Sequence, residues 1–461
     1  MRPIASLLLA GGLAVALTFV GFSGMLPPTG VGLSAPDVPG TLPDTPPATP
    51  PDTLPGTPPD TPPVTPPETP DPPPDTPPEG PCVTDGEPAG YACLEWYGSR
   101  EWGPMGLSLA DVSGDGVAEI LVGNMYGFLT VVDGGTHAET ANVTVDGSIR
   151  DVDAGDVDGD GFLEVAASYY RNDGERFGKV SIYEWRDGGL THEWTSPHLG
   201  LFGDALEIGD LDADGTLEIV VGTGGEVENG LHVVSHDTAE GYRAVRISSS
   251  PASQLHLANV DADTALEILT TYYDGLRVVD GVTFGEEWSL LYPSEPRIVN
   301  SYGVTAGDID GSDAPKIIVG AQLSWLVVDP VGRTIVAEIP RQSFGRAVSI
   351  ADVDGDGSME IVGIVHQDLE CCRYYPPDRY HNATLLPDSG GYVEVFDGAT
   401  LNREWRSRNL QLGDVDSLGG AAMAVAVRNV DGDSRLEIVV TTYRNLLLFD
   451  VSVGSEEANF P

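Results

Sequence analysis

Three features of the chain predict an all-β fold, a seven-bladed β-propeller of four-stranded antiparallel blades. An acidic loop followed by an apolar strand occurs seven times, no stretch carries a helical period, and Gly/Asp turns punctuate short apolar runs. The copies run Asp111–Ile120, Asp156–Val165, Asp210–Ile219, Asn259–Ile268, Asp308–Ile317, Asp352–Ile361 and Asn429–Ile438. Their start-to-start spacings are 45, 54, 49, 49, 44 and 77 residues, and all but the last suit one four-stranded sheet per unit. Within a unit, one strand leads into the acidic loop (Arg346–Ala351) and a second leaves it (Glu360–Val365). A third runs into an Asp-Gly turn, as at Phe128–Val132, Gly275–Val279 and Tyr392–Phe396. Asp-Gly between apolar runs signals a hairpin, because both turn positions accept φ > 0. An outer fourth strand carries Glu-Trp, at Glu193-Trp194, Glu287-Trp288 and Glu404-Trp405. The seventh copy stops after its third strand, Leu446–Asp450. Its missing fourth strand is expected from the other end, at Ala92–Gly98, where Glu95-Trp96 repeats the pattern. Closure of that kind leaves no open sheet edge.

Ahead of the repeats lie two segments of different composition. Residues 1–26 read as a signal peptide or an N-terminal membrane anchor, with the densest apolar run at Ile4–Phe22. Residues 27–81 form a Pro/Thr-rich stalk with threonine at every fourth position from Thr41 to Thr69. Proline favours an extended path of ~3.1 Å per residue, so this disordered stretch reaches on the order of 150 Å. Residues 82–461 carry the propeller, with an insertion at 366–391 in the sixth unit.

The chain has 461 residues, with 71 acidic against 23 basic side chains and a net charge of -48. Such a surface repels phosphate backbones and acidic headgroups, so nucleic acid is excluded as a partner and membrane contact is left to the N-terminal segment. Lys179 and Lys316 are the two lysines, and an acid-rich, lysine-poor surface is of the halophilic type. Four cysteines are too few for a disulfide scaffold; Cys82 with Cys93 is the preferred pairing, and a bridge from Cys371 or Cys372 to the N-terminal strand is the alternative.

The acidic loop, D-x-D-x-D-G-x-x-E, sets carboxylates at positions 1, 3, 5 and 9. Carboxylates converging on one point repel unless a hard cation sits among them, and Ca²⁺ takes six to eight oxygens in flexible geometry. Glycine at position 6 permits the sharp turn. An EF-hand sets its last acid at position 12 on a helix, whereas here it opens a strand. Three loops have the full set: Asp156, Asp158, Asp160, Glu164; Asp210, Asp212, Asp214, Glu218; and Asp352, Asp354, Asp356, Glu360. The first has Ser113 with Asp111, Asp115 and Glu119. The fourth and seventh start with asparagine: Asn259, Asp261, Asp263, Glu267 and Asn429, Asp431, Asp433, Glu437. Thr264 and Ser434 stand there in place of the glycine, and weaker binding is expected. In the fifth loop Ser312, Pro315 and Lys316 abolish the pattern, and Lys316 is expected to neutralise Asp308 and Asp310. Up to six structural Ca²⁺ sites follow. Asp and Gly also make good turns without metal, but turn chemistry alone does not explain one acidic spacing recurring before the same strand.

These units resemble the FG-GAP and VCBS repeats of the integrin α-chain propeller family, on the strength of the acidic loop and the strand Glu218–Gly222. The resemblance spans residues ~91–455 and implies a seven-bladed propeller with calcium between the first and second strands of each blade. The family's Phe-Gly pair is mostly absent, with Phe202-Gly203 and Phe344-Gly345 the best candidates.

Other chemistry is sparse. His232 and His236 have no third ligand nearby for zinc, and no nucleophile elbow, zincin motif or phosphate-binding loop occurs. The insertion offers Cys371-Cys372, Tyr374-Tyr375 and Tyr380 as binding surface or as a pinned decoration. Asn142 and Asn382 begin glycosylation sequons. The expected function is an exported, cell-surface, non-catalytic module that binds protein or carbohydrate through the face bearing the insertion. The alternatives are a polysaccharide lyase-like enzyme, needing a central-face cluster of Arg, Lys, Tyr or paired carboxylates such as Arg346, Arg428 and Tyr302, and a purely structural envelope component.

Overall fold

The computed structural model describes residues 92–99, 104–171, 177–200, 202–224, 229–261, 263–298, 301, 303–321, 324–340, 347–367, 390–407, 410, 422–442 and 445–451. The signal or anchor, the stalk, Cys82, Phe344-Gly345, Arg346, Tyr302, the Asn382 sequon and most of the insertion lie outside them.

Among the described residues, twenty-eight strands form seven four-stranded antiparallel sheets. After β1 (Ala92–Ser99), the first blade is β2 (Pro104–Ala110), β3 (Glu119–Asn124), β4 (Phe128–Asp133) and β5 (Glu139–Thr144). The second is β6 (Ser148–Gly155), β7 (Glu164–Arg171), β8 (Phe177–Arg186) and β9 (Gly189–Thr195). The third is β10 (Phe202–Gly209), β11 (Glu218–Gly224), β12 (Gly230–Asp237) and β13 (Gly241–Ser248). The fourth is β14 (Gln254–Ala258), β15 (Glu267–Tyr272), β16 (Gly275–Asp280) and β17 (Glu286–Leu291). The fifth is β18 (Gly303–Gly307), β19 (Lys316–Gly320), β20 (Ser324–Asp329) and β21 (Thr334–Pro340). The sixth is β22 (Val348–Ala351), β23 (Glu360–Gln367), β24 (Gly390–Asp397) and β25 (Arg403–Arg406). The seventh is β26 (Ala422–Arg428), β27 (Glu437–Thr442) and β28 (Asn445–Val451), completed by β1 in antiparallel register with β28. The closing strand read from the sequence is therefore in place.

Each sheet buries both faces, which explains the apolar runs of its middle strands. All six residues of β3 and of β27 are buried, whereas the outer β5 alternates between exposed and half-buried. The apolar core divides into seven clusters, each filling one interface between neighbouring blades. Leu109, Ile120 and Val132 of the first blade pack on Val430, Val439 and Leu448 of the seventh, so the ring is shut by the same packing that joins every other pair.

Two details depart from the sequence reading. Asp133-Gly134, Asp280-Gly281 and Asp397-Gly398 do not form two-residue hairpins. Each aspartate carbonyl accepts an N–H from the residue four positions on, His137, Phe284 or Leu401, and that residue takes φ near 60°. The glycine is required by close approach instead. A Cβ on Gly398 would lie 2.4 Å from the carbonyl oxygens of Ile309 and Met359, which belong to the acidic loops of the preceding and the same blade. Asp187-Gly188 is the pair that makes the two-residue turn, with φ of 54° and 79°. The insertion is also shorter than read, because His366 and Gln367 still pair with Gly391 and Gly390. Among the described residues no helix is long and apolar enough to cross a membrane.

Candidate metal centres and the central channel

The acidic loops join first to second strands, and the position-9 glutamate is the first residue of the second strand in six blades. That placement fixes one carboxylate on rigid sheet beneath a loop carrying the others. In all six, the glutamate Oε2 accepts the N–H of loop position 2, at 2.8 Å from Val112, 2.7 Å from Val157, 3.1 Å from Leu211, 2.6 Å from Val260, and 2.7 Å from both Val353 and Val430. The second oxygen is different. Oε1 of Glu164, Glu267 and Glu437 is buried without a hydrogen-bond partner, on residues with no exposed surface at all. Burial pushes the Glu164 carboxyl up to about 8 and those of Glu267, Glu360 and Glu437 up to about 7; Glu119 and Glu218 move the same way.

The remaining acids wind the loop around that glutamate. Position 3 accepts the N–H of position 5, and position 5 that of position 7, as at Asp158 and Asp160 in the second blade (3.0 Å each). Oxygens of Asp156, Asp158 and Glu164 lie within 4.8 Å of one another, as do those of Asp210, Asp212 and Glu218, of Asp261, Asp263 and Glu267, and of Asp352, Asp354 and Asp356. Oxygens so spaced fit a shared hard cation with ~2.3–2.6 Å bonds, and an all-oxygen donor set fits Ca²⁺ rather than zinc. In the first loop the Ser113 N–H also donates to Glu119 Oε2, at 3.1 Å.

Positions 1 and 6 are linked. Where position 1 is aspartate, its Oδ2 accepts the position-6 N–H, at 2.9 Å from Gly116 and 3.1 Å from Gly161, and those glycines sit at φ 93°. Where position 1 is asparagine, its Nδ2 donates to the position-5 carbonyl, from Asn259 to Asp263 at 2.6 Å and from Asn429 to Asp433. Thr264 and Ser434 then need no left-handed backbone. In the fifth loop Lys316 forms an ion pair with Asp310 at 3.7 Å and donates to the Ala314 carbonyl at 3.1 Å, so its ammonium replaces the ninth-position carboxylate.

Sequence reasoning missed two groups of acids. The glutamates of the Glu-Trp pairs sit at β-bulges: Glu95, Glu193, Glu287 and Glu404 are each the extra residue that the ladder skips in a fourth strand. A bulge breaks alternation, so the tryptophan packs into the core while the preceding carboxylate turns toward the acidic loop of its own blade. Glu95, for example, feels Asp431, Asp450 and Asp433. The recurring Glu-Trp was a usable signal.

The second group lines the central channel, where the seven first strands meet around two adjoining chambers of about 280 and about 320 Å³. Asp151 and Asp153 of β6 accept N–H groups of Leu206 and Ile208 in the next blade at 3.0 and 2.9 Å, and Glu207 accepts that of Leu257 at 3.1 Å. His256 Nδ1 lies 3.1 Å from Glu207 Oε1. Burial raises Asp151 to about 8 and Asp153 to about 6. Arg428, one of the example residues for an enzymatic cluster, donates to the Leu109 carbonyl at 2.8 Å, while Arg346 and Tyr302 lie outside the described residues. His232 and His236 share β12 and sit four residues apart on a strand, roughly 13 Å at strand rise, too far for a common metal.

Comparison with known proteins bears on the fold. The FG-GAP-like repeat profile matches residues 156–221, from the acidic loop of the second blade to the second strand of the third. Among solved structures the chain is similar to BBS1N, crystallised in complex with ARL6DN, at TM-score 0.52 and 9% identity over 77% of this chain and 94% of that one. It is also similar to the Neurospora crassa Pan2 WD40 domain, at TM-score 0.50 and 12% identity over 82% and 99%. No curated protein matches the chain by sequence. The chain is a seven-bladed β-propeller, and its residues 156–221 match an FG-GAP-like repeat.

Proposed function

We propose that this propeller is an exported, calcium-stabilised, non-catalytic binding module at the cell surface, and that it engages a protein partner with the face opposite its acidic loops. The calcium reading is carried by the ninth-position glutamate, sealed from solvent with one oxygen unpartnered in three separate loops. A buried carboxylate oxygen without a donor is costly unless a cation meets it.

Antiparallel blades alternate their connections between the two ends of the sheet. The acidic loops and Asp-Gly turns therefore share one face, and the second-to-third turns and blade-to-blade crossings share the other. That other face holds the end of β23 and the start of β24, which flank the insertion, and carries Tyr126, Tyr273 and Tyr292, exposed by 60, 55 and 46%. Exposed tyrosine on a rigid ring is favourable contact surface. BBS1N was crystallised with a protein partner, which supports the same class of ligand here. The channel carboxylates support a non-catalytic role, since each is committed to a backbone N–H of the neighbouring blade.

The test begins with calorimetric titration of Ca²⁺ into EDTA-stripped protein, with thermal melts in both states. Several binding events and a markedly higher melting temperature are expected; identical melts would remove the calcium claim. A glycan array with a uronide-cleavage assay follows. Release of unsaturated product would overturn the non-catalytic reading in favour of a lyase-like enzyme, and glycan binding without product would replace the protein partner by carbohydrate.

A further inference from the structure

The seventh blade differs from the others in covalent origin. Its fourth strand, β1, comes from the far end of the chain and is held by register with β28, from Ala92 opposite Val451 to Ser99 opposite Asn445. Glu95 is the bulged residue of that strand, and its Oε2 is buried without a hydrogen-bond partner. Two further carboxylate oxygens of the blade share that state, Oε1 of Glu437 and Oδ1 of Asp450. Glu437 has no exposed surface and lies directly across the sheet from Asp450. Asp431 and Asp433 complete the group.

Among the described residues these five carboxylates have one guanidinium with them, that of Arg435, which pairs with Asp433 at 2.9 Å and with Asp450 at 2.8 Å. His137, from the first blade, is a further titratable neighbour; it stacks on Trp96 at 4.8 Å, and burial holds it toward the neutral form. A single arginine leaves most of this charge uncompensated, and the three unpartnered oxygens come from three strands, β1, β27 and β28. Docking β1 therefore brings a carboxylate against others, while burying Leu94 and Trp96 against apolar neighbours. Repulsion opposes closure and apolar burial favours it.

We propose that the cation centre of the seventh blade is assembled from both ends of the chain, with Glu95 as its fourth-strand carboxylate, so that cation binding there and docking of the N-terminal strand are one coupled event. This rests on the calcium reading above. A cation that binds the docked arrangement better than the undocked one stabilises closure by that difference, and closure raises its affinity by the same factor.

Hydrogen exchange of the amides in 92–99, measured on the full chain in EDTA and in Ca²⁺, tests it. Calcium should slow exchange there by at least ~10-fold in the unaltered protein, as expected for a local opening that the ligand closes. Glu437→Gln should abolish most of that gain, whereas Glu267→Gln, which alters the fourth blade, should preserve it. Glu95→Gln, which leaves the strand's backbone pairing intact, should slow exchange in EDTA and shrink the calcium effect. Equal exchange of 92–99 with and without Ca²⁺, alongside calorimetric binding, would overturn the coupling and leave the calcium reading standing. A calcium effect on 92–99 that is unchanged in both Glu437→Gln and Glu95→Gln would equally overturn it. Absence of any binding heat would remove the parent reading instead.

Discussion

Glu164 concentrates the electrostatic problem of a blade in one side chain. Burial raises its carboxyl to about 8, against the N–H of Val157, which pulls the other way. A raised carboxyl means that the fold binds a proton the unfolded chain releases. Its stabilising contribution is complete below the ordinary value of 4.5 and is lost as pH climbs through about 8. Glu267, Glu360 and Glu437, raised to about 7, act in the same sense. Metal-free protein should therefore melt at falling temperature from pH 5 to pH 8, and Ca²⁺ should remove much of that slope. Melts across this range in EDTA and in calcium measure it directly, and Glu164→Gln should flatten the EDTA series while costing one calcium in calorimetry. The acids at positions 1, 3, 5 and 9 were legible because they recur at fixed spacing. Glu95, Glu193, Glu287 and Glu404 were visible only as strand markers, because their approach to the loops depends on a register shift that a linear pattern does not encode.

At the level of the element, loops and turns of neighbouring blades interlock. Gly398 sits between carbonyls of Ile309 and Met359, so a methyl group there must push two loops apart. Gly398→Ala should cost about 1–3 kcal/mol, the usual range for overpacking, read as a lower denaturant midpoint at constant slope. The sequence marked this glycine, but for the wrong reason. Its Asp-Gly suggested a left-handed hairpin, whereas the left-handed residue is Leu401 and the glycine answers to steric contact with another blade. Long-range packing of that kind has no local signature.

The first strands show the same limit. Asp151 and Asp153 alternate with Val152 and Ala154 in β6 and were not singled out, yet they cap backbone N–H groups of β10 in the next blade. Burial raises Asp151 to about 8, so in calcium-saturated protein a residual loss of stability between pH 4 and pH 8 should persist and should shrink in Asp151→Asn. A pH profile identical in the two proteins would show that the group titrates normally. The fifth loop supplies a constructive check. Ser312→Asp with Lys316→Glu restores the acids at positions 5 and 9 and should add one calcium to the calorimetric stoichiometry.

For the whole molecule, the architecture was the most legible property. Periodicity gave the blades, a truncated last copy pointed to closure by β1, and the closing ladder is present. What the repeat could not reveal is that the core consists of seven interfaces rather than one centre, since a blade's inner and outer apolar positions look alike in sequence. The net charge of -48 acts at this scale too. Self-repulsion among surface acids should weaken with ionic strength, so the melting temperature should rise steadily from low salt to about 1 M NaCl, where the screening length falls to ~3 Å.

The pairing of Ala92 with Val451 also has a mechanical meaning. The points where the polypeptide enters and leaves the ring are partners on adjacent antiparallel strands. Tension applied between them would part the rungs of that ladder successively, as a zipper opens, rather than loading all of them in shear. A variant circularly permuted so that 451 runs into 92 through a tight turn would convert this seam into an ordinary hairpin and should resist such pulling.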